Sequence, residues 1–143
     1  MTAQRPERTT GELLEGALTR SVIGSFYDVH RELGFGYREL IYALALERPL
    51  VEKGHRVDRE VAVMVYFRAA PLARQTLDMI VDDKLVIELK STARLDPDAT
   101  RQLFGYLSAT NFEVGLLFHF AKEARFYRVI YENKYKRRVT ISK

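Results

Sequence analysis

Cysteine and tryptophan are both absent from this sequence of 143 residues, and long apolar runs are absent as well. Without cysteine the chain can form neither a disulfide nor a thiolate zinc site. No apolar run approaches the roughly 20 residues that a membrane-spanning helix requires, and the N-terminus has no apolar segment typical of a signal peptide. These absences predict a cytoplasmic protein with no membrane attachment.

The composition is that of an ordinary globular domain, with 47% hydrophobic and 29% charged residues. A chain of this length fits one domain that can bury its own core. We expect a flexible tail over residues 1–10, a single domain over residues 11–133 and a basic C-terminal end over residues 134–143. The net charge of +4 permits contact with a polyanion such as nucleic acid, but by itself it concerns only solubility.

Two segments near the N-terminus are predicted to be helices. Apolar residues follow helical spacing from Glu12 to Leu33, and Gly34 is typical of the residue that ends a helix. A second helix should begin after Gly36. Because proline lacks the backbone N–H that a helix interior needs, Pro49 should kink this second helix or end it.

Several later segments have the apolar patterns of β-strands. They are predicted over residues 56–67, 76–81, 85–91, 112–120 and 125–133. In the first of them, alternation places a row of apolar side chains on one side, namely Val57, Val61, Val63, Val65 and Phe67. A connector containing Pro71 follows this strand, and the next two strands form a hairpin. Residues 112–120 are apolar on both faces, which is typical of a strand in the middle of a covered sheet.

A third helix is predicted between the third and fourth strands. Asp96 is suited to the N-cap and Pro97 to the first helical position, and the helix should extend to about Thr110. The step through this helix should be a right-handed parallel crossover, whereas the earlier strands should form an antiparallel meander. Together these elements predict an α/β sandwich with a mixed central sheet flanked by helices.

The hairpin over residues 77–92 is unusual because charged residues interrupt its apolar strands. If its loop consists of residues 82–84, Asp78 lies directly opposite Glu88, and Lys90 lies two residues further along the same face. With a two-residue loop the two carboxylates would point to opposite sides of the sheet. The length of the turn therefore decides whether the carboxylates meet.

Two facing carboxylates destabilise a hairpin unless something compensates their charge. Oxygen ligands of this kind suit Mg²⁺ or Mn²⁺, and a neighbouring lysine can orient or deprotonate a water and stabilise charge that develops on a phosphate. The same spacing also arises by chance on the solvated face of a hairpin. Ile80 and Val86 should share this face, however, so it is not uniformly polar, and this favours a site over a solvated surface.

The ordered set of motifs resembles the PD-(D/E)XK nuclease superfamily. Asp78 followed by residues 88–90, Glu-Leu-Lys, resembles the core motif of that superfamily, and the predicted order of elements is compatible with its fold. Gly36, Glu39 and Tyr42 form a G-x-x-E-x-x-Y motif that resembles the small GxxExxY proteins, a PD-(D/E)XK-like family. The resemblance covers roughly residues 18–131 and implies a restriction-endonuclease-like sandwich.

A further motif, Gln102 to Tyr106, has the form Q-x-x-x-Y and is similar to the motif of RecB-type and lambda-exonuclease-like nucleases. The resemblance implies the metal ligands Asp78, Glu88, Glu39 and the carbonyl of Leu89. It implies that Lys90 activates or positions the attacking water and that Gln102 orients the site or the scissile phosphate. Supporting roles are implied for Gly36, Tyr42 and Tyr106.

Two features depart from the superfamily pattern, since Leu77 replaces the proline of its name and Pro49 interrupts a helix expected to be continuous. His30 precedes the GxxExxY turn and is a further candidate ligand, although neutral imidazole suits Mg²⁺ less well than carboxylate does. The remaining titratable residues near the motifs are interpreted as structural: His119 as a core residue, Asp82 and Asp83 as turn formers, and Glu60 as part of a solvated strand start.

These observations predict a metal-dependent nuclease that hydrolyses phosphodiester bonds in nucleic acid, with DNA as the expected substrate and Mg²⁺ or Mn²⁺ as the cofactor. The alternative is a non-catalytic module on the same fold that binds nucleic acid or a protein. A third possibility is an enzyme that acts on a nucleotide or another small molecule through the same metal site. A homo-oligomer or a protein partner is compatible with so small a domain, but no residue identifies one.

Overall fold

The computed structural model of the protein describes residues 13–136, so the predicted tail and most of the basic end lie outside the described residues. The described chain contains three α-helices, five β-strands and one short 3₁₀ helix. The helices are α1 (Gly16–Leu33), α2 (Glu39–Glu52) and α3 (Ala99–Ser108), and the 3₁₀ helix is Asn133–Tyr135. The strands are β1 (Val57–Phe67), β2 (Ala70–Val81), β3 (Leu85–Lys90), β4 (Val114–Phe120) and β5 (Ala124–Ile130).

The five strands form one mixed sheet in the order β1-β2-β3-β4-β5. Strands β3 and β4 are parallel and are connected through α3, whereas the other neighbouring pairs are antiparallel. Helices α1 and α2 cover one face of the sheet and α3 covers the other, with a separate apolar cluster under each. All seven residues of β4 are buried, which confirms a central strand covered on both faces. The predicted α/β sandwich is therefore confirmed.

The ends of the first two helices confirm one prediction and exclude one of the two alternatives, a kink or an end at Pro49, in the other. Helix α1 ends at Leu33, and Gly34 follows with a φ of 72°, the left-handed conformation that favours glycine. Helix α2 does not end at Pro49 but continues to Glu52, and the N–H of Lys53 donates to the Pro49 carbonyl at 3.0 Å. Proline removes one hydrogen bond from the helix, but Leu50 beside it is fully buried, and this tertiary burial stabilises the last turn.

Strand β2 is longer than predicted, because Pro71 lies within it rather than in a connector. Arg68 and Ala69 have φ values of 51° and 63°, so they form a tight two-residue turn without any glycine. The register of the β1–β2 pair shifts between Val65 and Tyr66, opposite Pro71, and such irregularities are where a strand tolerates proline. The strand signal was hidden because neither turn residue is of a type that favours positive φ.

The predicted single apolar side of β1 is wrong, since its valines divide between the two faces of the sheet. Val57 packs with the cluster under α1 and α2, whereas Val61 and Val63 pack with the cluster under α3. Glu60, between them, has a φ of 54°, which is far from extended backbone and interrupts the alternation of side chains.

Helix α3 begins at Ala99, two residues after the predicted start at Pro97, and ends at Ser108 rather than about Thr110. The carboxylate of Asp96 accepts the N–H of Asp98 at 2.9 Å, and its carbonyl accepts the N–H of Ala99 at 3.0 Å. Asp96 therefore closes the turn before the helix instead of capping the helix itself. No helix in the described part of the chain combines the length and apolarity needed to cross a membrane.

Candidate active site

The turn between β2 and β3 fixes the register of the two strands. Val81 pairs with Leu85, and the N–H of Lys84 donates to the Val81 carbonyl at 3.1 Å, so the loop has the predicted three residues. Asp82 and Asp83 have φ values of 54° and 56°, a left-handed conformation that aspartate tolerates better than most residues. Their interpretation as turn formers is confirmed.

Asp82 also attaches this turn to the rest of the domain. One of its carboxylate oxygens accepts the N–H of Arg56 at 2.8 Å, and the other lies 2.7 Å from Nδ1 of His55. Because an ionised carboxylate only accepts, Nδ1 carries the proton, and a neutral ring then accepts the hydroxyl of Ser21, which lies 2.7 Å from Nε2. Desolvation opposes ionisation of Asp82, but the bonds from Arg56 and His55 outweigh it and lower the pKa of this carboxyl.

At the other end of the hairpin, two carboxylates replace main-chain bonds between the strands. The paired residues of β2 and β3 extend to Met79 and Ile87, which places Asp78 opposite Glu88. There the N–H of Asp78 donates to the Glu88 carboxylate at 3.0 Å, and the N–H of Leu89 donates to the Asp78 carboxylate at 2.8 Å. We call Asp78 and Glu88 the acidic pair; each carboxylate takes one N–H from the other strand.

Burial makes the acidic pair electrostatically unfavourable. Glu88 is only 6% exposed, and desolvation followed by the charge of Asp78 raises its pKa from 4.5 to about 7. Desolvation also raises the pKa of Asp78, and the charge of Glu60 adds to this effect. The N–H bonds and the charge of Lys90 act in the opposite direction on both carboxyls, but they do not compensate fully.

Lys90 ends β3 two residues beyond Glu88 and is half-buried. Its position in the sheet is next to His119 of β4, with which it is paired in the parallel register. His119 is 5% exposed and its Nε2 donates to the Thr92 carbonyl at 2.7 Å, which confirms its interpretation as a satisfied core residue. Within the described residues the Lys90 ammonium makes no salt bridge, so its charge acts on the acidic pair from a distance.

Two further acids lie close enough for their charges to act on the acidic pair. Glu39 is the first residue of α2, and its charge raises the pKa of Glu88. Glu60 of β1 lies opposite Asp78, because Arg59 pairs with Met79 on one side of it and Val61 with Leu77 on the other. The sequence interpretation placed Glu60 at a solvated strand start, and Glu60 is indeed exposed near the start of β1, but its place opposite Asp78 was not predicted. No signal could have found it, since its position depends on an unpredictable turn at Arg68 and Ala69.

A sequence model of the PD-(D/E)XK nuclease superfamily matches residues 16–130. The chain belongs to this superfamily. Its members are in general nucleases that typically use divalent metals such as Mg²⁺, and nucleic acid is their class of substrate. The crystal structure of SSO0001 is also similar, with 22% sequence identity and a TM-score of 0.49 over 64% of this chain and 49% of that chain. No curated protein matches.

Within this PD-(D/E)XK domain, Tyr106 lies near the acidic pair, whereas Gln102 has no bond to it. Desolvation raises the pKa of Tyr106, and the charges of Glu88 and Asp78 raise it further. Gln102 is exposed and, with Tyr106, lines an open groove of ≈ 390 Å³ between α3 and the β1–β2 hairpin. His30 lies 2.7 Å from the Ala121 carbonyl, so its Nε2 donates there.

The supporting residues of the GxxExxY motif hold the turn before α2. Gly36 has a φ of 106°, a conformation that L side chains rarely adopt, which explains glycine at this position. Tyr42 is fully buried, its hydroxyl donates to the Gly34 carbonyl at 2.8 Å, and its ring stacks on Phe120 at 4.0 Å. This turn leads directly into Glu39.

The donor chemistry of the acidic pair fits a magnesium or manganese ion. Each carboxylate of the pair uses one oxygen for an N–H and retains the other, and the mutual repulsion of the pair favours a cation. Among residues 13–136 no three histidine, aspartate or glutamate side chains are grouped so that they could hold a metal. This is compatible with Mg²⁺, which commonly binds one or two carboxylates together with waters and substrate phosphates.

Proposed function

We propose that this domain hydrolyses phosphodiester bonds in nucleic acid, with DNA as the expected substrate and Mg²⁺ or Mn²⁺ as the cofactor. The observation that supports this most is the acidic pair, with Lys90 two residues along the same strand. A purely structural hairpin gains nothing from two buried, repelling carboxylates, so their retention favours a functional site.

The role of each residue follows from its place. Asp78, Glu88 and the Leu89 carbonyl would hold the ion, and Glu39 would add a carboxylate from α2. A bound ion would supply Lewis-acid stabilisation of charge on the phosphate. Lys90 would orient the attacking water and offset the negative charge that grows on the phosphate oxygens. The water oxygen forms the new bond to phosphorus, and the departing sugar oxygen leaves with a proton.

Less direct roles are proposed for three residues. Gln102 would orient the scissile phosphate from the groove beside α3, and Tyr106 would pack between this groove and the acidic pair. His30 would complete the ligand set only if it released the Ala121 carbonyl, so we place it last among the candidates. Within the superfamily we assign the chain to the GxxExxY group, which the backbone at Gly36 supports.

A binding module without catalysis is the second candidate. It is favoured by the absence, among the described side chains, of any three-residue group that could hold a metal. The two candidates share the binding of nucleic acid and differ in turnover.

Cleavage of labelled single- and double-stranded DNA and RNA tests the proposal, with Mg²⁺, with Mn²⁺ and with chelator. We expect metal-dependent cleavage that is abolished in Glu88→Gln and Lys90→Ala but unchanged in Lys84→Ala, an exposed turn lysine of the same hairpin. Cleavage that survives chelator, or that Lys90→Ala leaves intact, would contradict the mechanism. Metal and nucleic-acid binding without turnover would favour the binding module.

A further inference from the structure

The loop between α1 and α2, which leads into Glu39, displays aromatic side chains to solvent. In this loop, residues 34–38, Phe35 is 59% exposed and Tyr37 is 48% exposed. Isolated exposed aromatic residues are common, but two on one short loop form an apolar patch of the kind that marks an interaction site. We call residues 34–38 the aromatic loop.

Contacts with Tyr42 of α2 hold the backbone of the aromatic loop. Gly34 and Gly36 both have positive φ, at 72° and 106°, and neither has an atom within 4 Å of the position where a Cβ would lie. The hydroxyl of Tyr42 donates to Gly34 and accepts the N–H of Tyr37 at 3.3 Å, and the two tyrosine rings meet edge to face at 6.0 Å. The loop is therefore fastened to α2 in one conformation and does not need to be ordered by a ligand.

The aromatic loop lies at the edge of the sheet where β3 and β4 end. Lys90 is paired with His119, and the next residue of β4, Phe120, stacks on Tyr42 at 4.0 Å. Glu39 follows the loop directly in sequence, and its charge acts on Glu88. The aromatic loop is therefore joined to the surroundings of the acidic pair through Glu39 and through the ends of β3 and β4.

We propose that the aromatic loop binds unpaired bases next to the scissile phosphate, so that the substrate is single-stranded nucleic acid or an unpaired end. This rests on the proposed nuclease function. Phe35 and Tyr37 offer ring faces on which any base can stack, at about 5- to 100-fold in affinity per base, and exposed Arg38 offers a cation to the backbone. A duplex keeps its bases stacked inside and cannot use these rings.

A second copy of the chain is the competing occupant of an exposed apolar patch. The aromatic loop favours the nucleic acid, because the exposed Arg38 within it offers a positive charge to a polyanion. A second copy docked on it would also lie against Glu39, the next residue in the chain, whose charge acts on Glu88.

Binding of a single-stranded oligonucleotide that contains 2-aminopurine, measured in chelator by fluorescence, tests this inference without cleavage. We expect Phe35→Ala to weaken binding of the single strand about 5- to 100-fold, to weaken binding of the matching duplex less than 2-fold, and to be rescued by Phe35→Tyr. The control is Phe67→Ala, which removes an equally exposed phenylalanine, 53% exposed, at the β1–β2 turn. We expect it to have no effect.

Equal losses for single strand and duplex would overturn the stacking role. A concentration-dependent dimer that Phe35→Ala dissociates, observed by sedimentation, would overturn it in favour of an interface between copies. The proposed nuclease fails separately: single-strand binding that depends on Phe35 without any metal-dependent cleavage would retain the aromatic loop and reject catalysis. Cleavage that Phe35→Ala does not change, and that is equally fast on single strand and duplex, would retain the nuclease and reject the role of the aromatic loop.

Discussion

Both ends of the β2–β3 hairpin carry acidic residues, but their surroundings shift the pKa values in opposite directions. At the turn, the carboxylate of Asp82 receives N–H bonds from Arg56 and His55, and its pKa falls. At the other end, Asp78 and Glu88 are buried against each other and their pKa values rise. The bonds at the first end stabilise the charge of its carboxylate, whereas the second end holds two repelling carboxylates whose charge a cation would offset.

The two ends are nevertheless coupled through register. Asp82 contacts His55, which in turn contacts Ser21, and these contacts hold the three-residue loop. This loop length places Asp78 opposite Glu88. A shift of one residue would move one carboxylate to the other face of the sheet. The turn at Asp82 therefore determines the geometry of the acidic pair at the other end of the hairpin.

The sharpest test of this comparison is activity. Asp78→Asn keeps an oxygen that can accept the Leu89 N–H, so the fold should survive, but the charge that would hold the ion is lost. We expect cleavage to fall about 10²–10⁴-fold, whereas Asp82→Asn should reduce it less than about 3-fold, as measured on the same labelled substrate. If Asp82→Asn lost as much activity while remaining folded, the division of the hairpin into a structural end and a functional end would be wrong.

Metal binding should act on one end alone. Saturating Mg²⁺, at about 100 times its dissociation constant, should stabilise the wild-type protein by about 2.7 kcal/mol, which is several degrees of melting temperature for a domain of this size. Glu88→Gln should abolish this shift and Asp82→Asn should retain it. Thermal melts with Mg²⁺ and with chelator measure both, and an undiminished shift in Glu88→Gln would place the ion elsewhere.

Without metal, replacing the charged carboxylate of Glu88 by a neutral amide should stabilise the protein. Because the pKa of Glu88 is about 7 in the folded state and 4.5 ordinarily, the folded state binds an extra proton between these values. The free energy of unfolding therefore decreases as pH rises through this window and stays reduced above it. Gln is neutral throughout, so Glu88→Gln should be more stable by about 1–3 kcal/mol at pH 8 and equal near pH 4.

Urea denaturation in chelator at pH 4 and pH 8 measures this difference. The matched control is Glu32→Gln, an exposed glutamate of α1, which should change the free energy of unfolding little at either pH. A Glu88→Gln variant that is less stable than the wild type at pH 8 would show that the carboxylate is not strained.

The structural end should respond in the opposite direction. Asp82→Ala removes the acceptor of two hydrogen bonds and should destabilise the protein by about 1–2 kcal/mol at pH 7. Since the pKa of Asp82 is lowered in the folded state, its contribution is present above the ordinary value near 3.8 and is lost as pH falls below it. Urea denaturation at pH 7 and pH 3 should show the difference shrinking, and Asp83→Ala, which removes an exposed turn aspartate with no such bonds, is the control.

The elements that the sequence predicted well are those with local causes. Gly34 ended α1 because glycine adopts positive φ without the steric cost that other residues have, and Asp82 and Asp83 formed a loop whose length set the strand register. The apolar run of β4 predicted burial on both faces, which β4 has. Each of these depends on a few neighbouring residues, so a single sequence contains the information.

The features that the sequence left open or predicted wrongly depend on distant partners. Helix α2 continues past Pro49 because Leu50 is buried in the core, and β1 exposes its valines to both faces because Glu60 adopts a positive φ. The proximity of Glu60 to Asp78 follows from a turn without glycine. None of these can be inferred from local propensity, since each is decided by packing elsewhere in the chain.

By itself, the sequence determined which side chains share a face of the hairpin, because strand alternation and turn length are local properties. Only the tertiary structure decided how the pKa values of the carboxyls on that face are shifted. The pKa of a carboxyl depends on how much water its neighbours remove and on the charges and N–H groups around it. For the acidic pair, two of those charges come from other elements, Glu39 of α2 and Glu60 of β1. A carboxylate therefore stabilises the turn at position 82, whereas the carboxylates at positions 78 and 88 repel each other and are candidate metal ligands.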